Sequence, residues 1–208
     1  PLQSTRFLSQ GETDTGKTSQ KVRNMLDSFR TFLGREIAQL RLSFQRKPPI
    51  AVNRVLCSGK NILVCLPEKV NVADILGLLK VELKPQNIFV LTENTCESVY
   101  FPSGVRVFSL SESGLGFLYL PRRGLIKEIR KQGIDIAIDL HWQFCLPSAY
   151  MCAYSGADLR IGFYSPKANG FFNFEYYGRA GPPEVYCELI RLLKEISSSN
   201  RNGVPAFS

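Results

Sequence analysis

Three stretches of this 208-residue chain carry residue types that do chemistry. The first, GETDTGKT at residues 11–18, fits the phosphate-loop pattern G-x-x-x-x-G-K-[ST] letter for letter. That motif works only where a buried strand runs into the loop and a helix leaves it, so that backbone N–H groups hold the phosphates. The preceding PLQSTRFLSQ has Gln, Ser, Thr and Arg where a continuous apolar run is required. The match therefore reads as accidental, and no nucleotide or other cofactor is expected. The second stretch, LPEKVNVADIL at 66–76, places Glu68, Lys69, Asn71 and Asp74 in a loop that enters a helix. It lacks a glycine fingerprint, which argues against a dinucleotide. A carboxylate at Asp74 either complements the helix dipole or acts as a general base on an acceptor hydroxyl. The third, DLHWQFCLPS at 139–148, holds the only histidine and the only tryptophan, His141 and Trp142, followed by Gln143. A flat ring beside hydrogen-bonding groups suits a sugar or a polar headgroup. The plainer reading of His141 is a loop histidine satisfied by its own neighbours. The candidate site is thus Asp74 as catalytic base, with Lys69, Asn71, His141, Trp142 and Gln143 as substrate contacts.

These loops need a scaffold, and the pattern from residue 60 onward supplies one. Short apolar runs at NILVCLP (61–67), NIFVLTE (87–93), VRVFSL (105–110), IDIAIDL (134–140) and LRIGFY (159–164) read as strands. Helical segments alternate with them at 72–83, 124–133, 147–156 and 182–196. Strand–helix alternation with Ile/Val/Leu-rich runs predicts an α/β domain over residues 50–208, a parallel Rossmann-like sheet flanked by helices. Ligands then bind beyond the carboxyl ends of the strands, where the second and third stretches both fall.

Ahead of that domain, residues 1–17 read as a flexible leader and 18–49 as a long basic amphipathic helix. Val22, Met25, Leu26, Phe29, Phe32, Leu33, Ile37, Leu40 and Phe44 recur at steps of three and four. Thr18 or Ser19 caps the start, and Pro48-Pro49 stops the helix. Lys21, Arg23, Arg30, Arg35, Arg41 and Arg46 are interspersed. Residues 1–60 hold 11 Lys/Arg against 4 Asp/Glu, whereas 61–208 are nearly balanced at 15 against 14. The apolar stripe packs on its own domain, binds a protein partner, or lies through residues 18–46 on an anionic membrane surface. Of the anionic partners, lipid is the one carried forward; nucleic acid is not expected.

No apolar run approaches the length of a membrane span, and residues 1–20 are too polar for a secretory signal. The expected location is cytoplasmic, peripheral on the inner membrane. The six cysteines form no C-x-x-C pair and read as small core residues in a reducing compartment. With one histidine in the chain, no metal site is expected.

The stretch GIDIAIDLHWQFCLPSAYMCAYSGADLRIGFYSPKANGFFNFEY resembles the N-terminal domain of the lipopolysaccharide heptosyltransferases, glycosyltransferase family 9. The resemblance rests on a D-x-x-I-D-L strand (Asp135 to Leu140), a small-residue helix ending in SGA (Ser148 to Ala157) and RIGF (Arg160 to Phe163), and covers about residues 60–196. VADIL resembles the family's GDxL, which would place Asp74 at the catalytic carboxylate. The resemblance implies the acceptor-side Rossmann-like domain of a GT-B fold. It also implies inverting, nucleotide-sugar-dependent transfer to a sugar or lipid-linked acceptor in envelope polysaccharide or lipopolysaccharide synthesis. Ala73 stands where the family has Gly, and the loop after Asp139 differs from the family's shorter one. The family's donor-side domain would follow near residue 208. The chain therefore reads either as one half of a longer or two-part enzyme, inactive without its donor domain, or as a non-catalytic binding or scaffold module with a degenerate glycosyltransferase fold.

Overall fold

The computed structural model of the chain describes residues 14–44, 49–67, 71–92, 101, 103–111 and 114–199. The elements in chain order are α1 (Asp14–Ser43), α2 (Val52–Ser58), β1 (Asn61–Leu66), α3 (Val72–Leu83), β2 (Asn87–Thr92) and β3 (Val105–Ser109). They continue with α4 (Arg123–Arg130), β4 (Ile136–Asp139), α5 (Leu146–Tyr154), β5 (Leu159–Phe163), a 3-10 turn at Pro166–Ala168, β6 (Phe174–Tyr176) and α6 (Glu184–Ser199).

The six strands form one sheet in the order β3-β2-β1-β4-β5-β6, every neighbouring pair parallel. This is the Rossmann-like α/β domain that the alternation predicts. The central strands are apolar along their whole length because helices cover both faces. β1 is buried from Ile62 to Leu66, and β4 throughout. On one face Leu76, Leu79, Leu189, Ile190 and Leu193 of α3 and α6 pack on Ile62, Val64, Ile136 and Ile138. On the other, Ile129 of α4, Ala149 and Met151 of α5, and Ala38 and Leu42 of α1 pack with Leu63, Leu91 and Phe171. The Asp135 carboxylate accepts the backbone N–H groups of Lys60 (2.8 Å) and Asn61 (2.9 Å), tying the entry of β4 to that of β1. Gly133, at φ +62, makes the turn out of α4 that a side-chain-bearing residue adopts only at a cost.

Three features differ from expectation. α1 starts at Asp14 rather than at Thr18 or Ser19, so Gly16, Lys17 and Thr18 lie in its first turns and not in an anion-cradling loop. A single glycine costs about 1 kcal/mol of helix propensity, too little to stop a helix of this length. Residues 1–13, including the rest of the leader, lie outside the described residues. α1 ends at Ser43, whose hydroxyl turns back to the Leu40 carbonyl (2.7 Å), before the two prolines are reached. Second, α2 and β6 are additional elements, of 7 and 3 residues, too short to show a periodic signal.

Third, α1 does not dock by its apolar stripe. It docks by the opposite, small-residue face. Ala38 is fully buried and Leu42 nearly so. A Cβ on Gly34 would run into the Leu118 carbonyl. Arg30 Nε donates to the Phe117 carbonyl (2.7 Å), and its guanidinium lies over the rings of Phe117 (4.4 Å) and Tyr119 (5.0 Å). Gln39 Nε2 donates to the carbonyls of Asn169 (3.1 Å) and Lys167 (3.4 Å). The chain returns close enough for these bonds only because Gly34 and Ala38 present almost no side chain.

Cys65 and Cys152 are buried as expected, their sulfurs 3.6 Å apart across β1 and α5, and the described cysteines form no disulfide. Cys57 departs from the core reading: it is exposed and donates to the Ser197 carbonyl (3.1 Å). Cys96 lies outside the described residues. No described helix is long and apolar enough to cross a membrane.

Candidate functional site at the strand carboxyl ends

The strand order reverses between β1 and β4: the chain leaves β1 toward β2 and β3, then returns to lay β4 on the other side. At such a switch point the connections diverge to opposite faces and leave a crevice beyond the carboxyl ends. β1 and β4 are in register there, with Cys65 opposite Asp139, and Leu140 N–H donates to the Cys65 carbonyl (3.0 Å). The loops leaving these two strands are the two that the sequence singles out.

Asp139 is the last residue of β4 and only 3% exposed. Its Oδ1 accepts twice from His141, from the backbone N–H (3.1 Å) and from the ring Nδ1 (2.6 Å). Spacing i, i+2 permits this because the turn after the strand folds the histidine back over the carboxylate. The His141 side chain keeps only 10% of its surface in water. Burial works against a charged ring and is the largest single influence on it. The charge and hydrogen bond of Asp139, joined by Cys145, outweigh burial and push the imidazole from 6.5 up to about 11. At neutral pH His141 is thus an imidazolium locked to a carboxylate, a fixed ion pair and not a proton acceptor. Burial, joined by the charge of Asp139, raises the Tyr186 phenol on α6; burial and the neighbouring Cys152, with a smaller contribution from Asp139, raise the Cys65 thiol on β1.

The next two residues face outward. Trp142 is 40% exposed, its ring edge-on to Phe163 at 5.2 Å and 67°. Gln143 is exposed. Phe163, the last residue of β5, also meets Tyr186 (6.0 Å) and Tyr176 (6.2 Å), the last residue of β6. Tyr176 Oη donates to Glu188 Oε2 (3.2 Å). Gly178 lets the loop after β6 close on this cluster, since a Cβ there would strike Val185 and crowd Trp142. The result is an aromatic wall along the carboxyl ends of β4, β5 and β6. Only Trp142 of this wall stands out in the sequence. The remaining signal was available as an aromatic closing RIGF and another closing FEY.

On the β1 side, Asp74 lies in the first turn of α3 and is exposed. Its Oδ2 accepts from Asn71 Nδ2 at 2.6 Å. Asn71 holds the N-cap position but makes no side-chain cap bond. An acidic side chain in the first turn complements the helix dipole. Lys69 and Glu68 lie outside the described residues. The fold thus brings Asn71 and Asp74 to the edge shared with His141, Trp142 and Gln143. It sets Asp74 in a solvated position open to a ligand, and turns His141 inward behind Trp142.

Such an edge can bind a polar ring. The tryptophan offers a stacking face, Gln143 and Asn71 carry amide groups, and Asp74 presents a carboxylate. Among the described residues no cluster of His, Cys, Asp or Glu is arranged to hold a metal ion. No protein-family model matches the chain, and no curated protein and no solved structure matches it either.

Proposed function

We propose that this domain receives a sugar or lipid-linked acceptor at the carboxyl ends of β1 and β4. In this reading it is the acceptor side of a heptosyltransferase-type glycosyltransferase of envelope polysaccharide or lipopolysaccharide synthesis, peripheral on the cytoplasmic face of the inner membrane. The observation that carries the proposal is the placement of an exposed carboxylate, Asp74 in the first turn of the helix after β1, and an exposed stacking ring, Trp142 in the loop after β4, at the two strands of the switch point. In the proposed reaction Asp74 takes the proton of an acceptor hydroxyl as that oxygen attacks the anomeric carbon of a nucleotide sugar. The bond to the diphosphate breaks with inversion, and the nucleoside diphosphate leaves on the donor-side domain. Trp142 and Gln143 hold the acceptor ring, with Asn71 beside it, and the Asp139–His141 pair keeps the Trp142 loop in place. The rival reading is a non-catalytic binding module. It is favoured by the Asn71–Asp74 bond, which gives Asp74 a role in the helix start without any chemistry.

Trp142 is the sole tryptophan, so its fluorescence reports this edge alone. Titration with a phosphorylated lipopolysaccharide core oligosaccharide is expected to give a saturable change that Gln143→Ala weakens. An emission that stays flat to millimolar oligosaccharide contradicts acceptor binding in both readings.

A further inference from the structure

We propose that α1 and the outer face of α4 together form a surface that docks on an anionic lipid bilayer. The inference rests on the membrane placement in the reading above and is independent of its sugar chemistry. α1 is 30 residues, about 45 Å long. Its docked face is Gly34, Ala38 and Leu42, recurring every four residues. At 100° per residue the large apolar residues fall on the opposite side. Accordingly Met25 (67%), Phe29 (61%), Leu40 (61%) and Phe44 (80%) are exposed, as are Leu26 and Leu33. The one apolar face that a core or a lipid would compete for is left unused by the core. A contiguous apolar patch of this kind marks an interaction surface.

The charge around the stripe selects the occupant. Arg23 and Arg41 flank it on one side. Beyond Arg41 the basic edge continues onto α4, where Arg123, Lys127 and Arg130 stand at i, i+4 and i+7 and are exposed, while Ile126 and Ile129 turn inward. Arg41, Phe44, these three cations and the stacked rings of Tyr150 and Tyr154 (4.2 Å) line one open groove. Apolar side chains flanked by cations and aromatic rings match the acyl–headgroup boundary of an anionic leaflet. A second copy of the chain fits less well. The stripe is broader than a two-position coiled-coil seam, and Glu36 lies within it. Its carboxylate is paired to Arg35 at 2.7 Å, with that guanidinium over Phe32 at 5.1 Å. A helix seam would bury this charged pair between two apolar surfaces, whereas at a leaflet its long side chains reach the hydrated headgroup layer.

The test is co-sedimentation of the full chain with vesicles of phosphatidylglycerol mixed with phosphatidylcholine, and with phosphatidylcholine alone. Binding is expected to the anionic vesicles, to fall as salt shortens the Debye length, and to drop more than tenfold in Lys127→Glu/Arg130→Glu. That loss follows from about fivefold per cation at the surface, the equivalent of about 1 kcal/mol each. Phe29→Ser/Phe44→Ser is expected to abolish binding with unchanged thermal unfolding, because both rings are exposed. The proposal is overturned by equal binding to neutral vesicles, by no binding to either, or by a salt-insensitive dimer in sedimentation velocity that Phe29→Ser/Phe44→Ser dissociates. Retention by RNA or DNA with no vesicle binding overturns it in favour of nucleic acid. Because the Trp142 titration does not involve α1, a vesicle failure beside an intact fluorescence response removes the docking surface and leaves the acceptor reading standing.

Discussion

Asp139→Asn is expected to destabilise the domain by about 3–5 kcal/mol near neutral pH, the usual cost of removing one partner from a buried ion pair. The structure places the carboxylate almost wholly out of water with His141 Nδ1 at 2.6 Å, so the variant leaves a buried ring that no longer gains from carrying charge. The sign of the pH dependence follows. In the native fold the imidazole is pushed up to about 11, against 6.5 as its ordinary value. The pair's contribution is therefore fully present below pH 6.5 and is lost as pH rises toward 11, at up to about 1.4 kcal/mol per pH unit. Urea unfolding of both proteins across this range should show the stability gap narrowing steadily from about pH 6 to about pH 9. The groups facing His141 are Asp139 and Cys145, while Tyr186 and Cys65 face Asp139; neither the tyrosine nor the buried thiol is brought down into that window. A gap independent of pH would mean that His141 is neutral in the fold and that the loop is held by packing alone.

Asp74→Asn carries the second large effect, on rate. With the donor domain and a nucleotide sugar supplied, loss of the general base is expected to slow transfer by at least about a hundredfold. Stability should change by less than about 0.5 kcal/mol, since the side chain is exposed and asparagine keeps a partner for Asn71. The split matters because Asp74 has two competing roles. A helix-start residue would show a small stability loss and no rate effect; a base shows the reverse. Near-native turnover in a folded Asp74→Asn protein would assign Asp74 to the start of α3 and leave the non-catalytic reading.

The legible parts of the fold were those with long apolar runs. NILVCL and IAID announce buried parallel strands, and VADILGLLKVEL coincides with α3 at both ends. β6 and α2 escaped because three or seven residues cannot display a period. α1 shows a different gap. Its 3.6-residue periodicity marks an apolar face correctly, but hydrophobicity alone names the wrong docking side. The contact is made by Gly34 and Ala38, whose virtue is small size, and by Arg30, whose bond goes to a backbone carbonyl 87 positions away. At the site, the residue types on both loops were readable, as was the shared edge implied by a parallel sheet. The inward turn of His141 was not. It depends on the burial of Asp139, whose surroundings include Tyr186 of α6, distant in the chain.

The central claim is that a polar acceptor binds where β1 and β4 end. Amide chemical-shift mapping of the isotope-labelled chain, titrated with phosphorylated lipopolysaccharide core oligosaccharide, tests it most directly. Saturable shifts confined to residues 66–76 and 139–146 are the expected result. Shifts confined to α1 and α4, or no shifts with the fold intact, would contradict it.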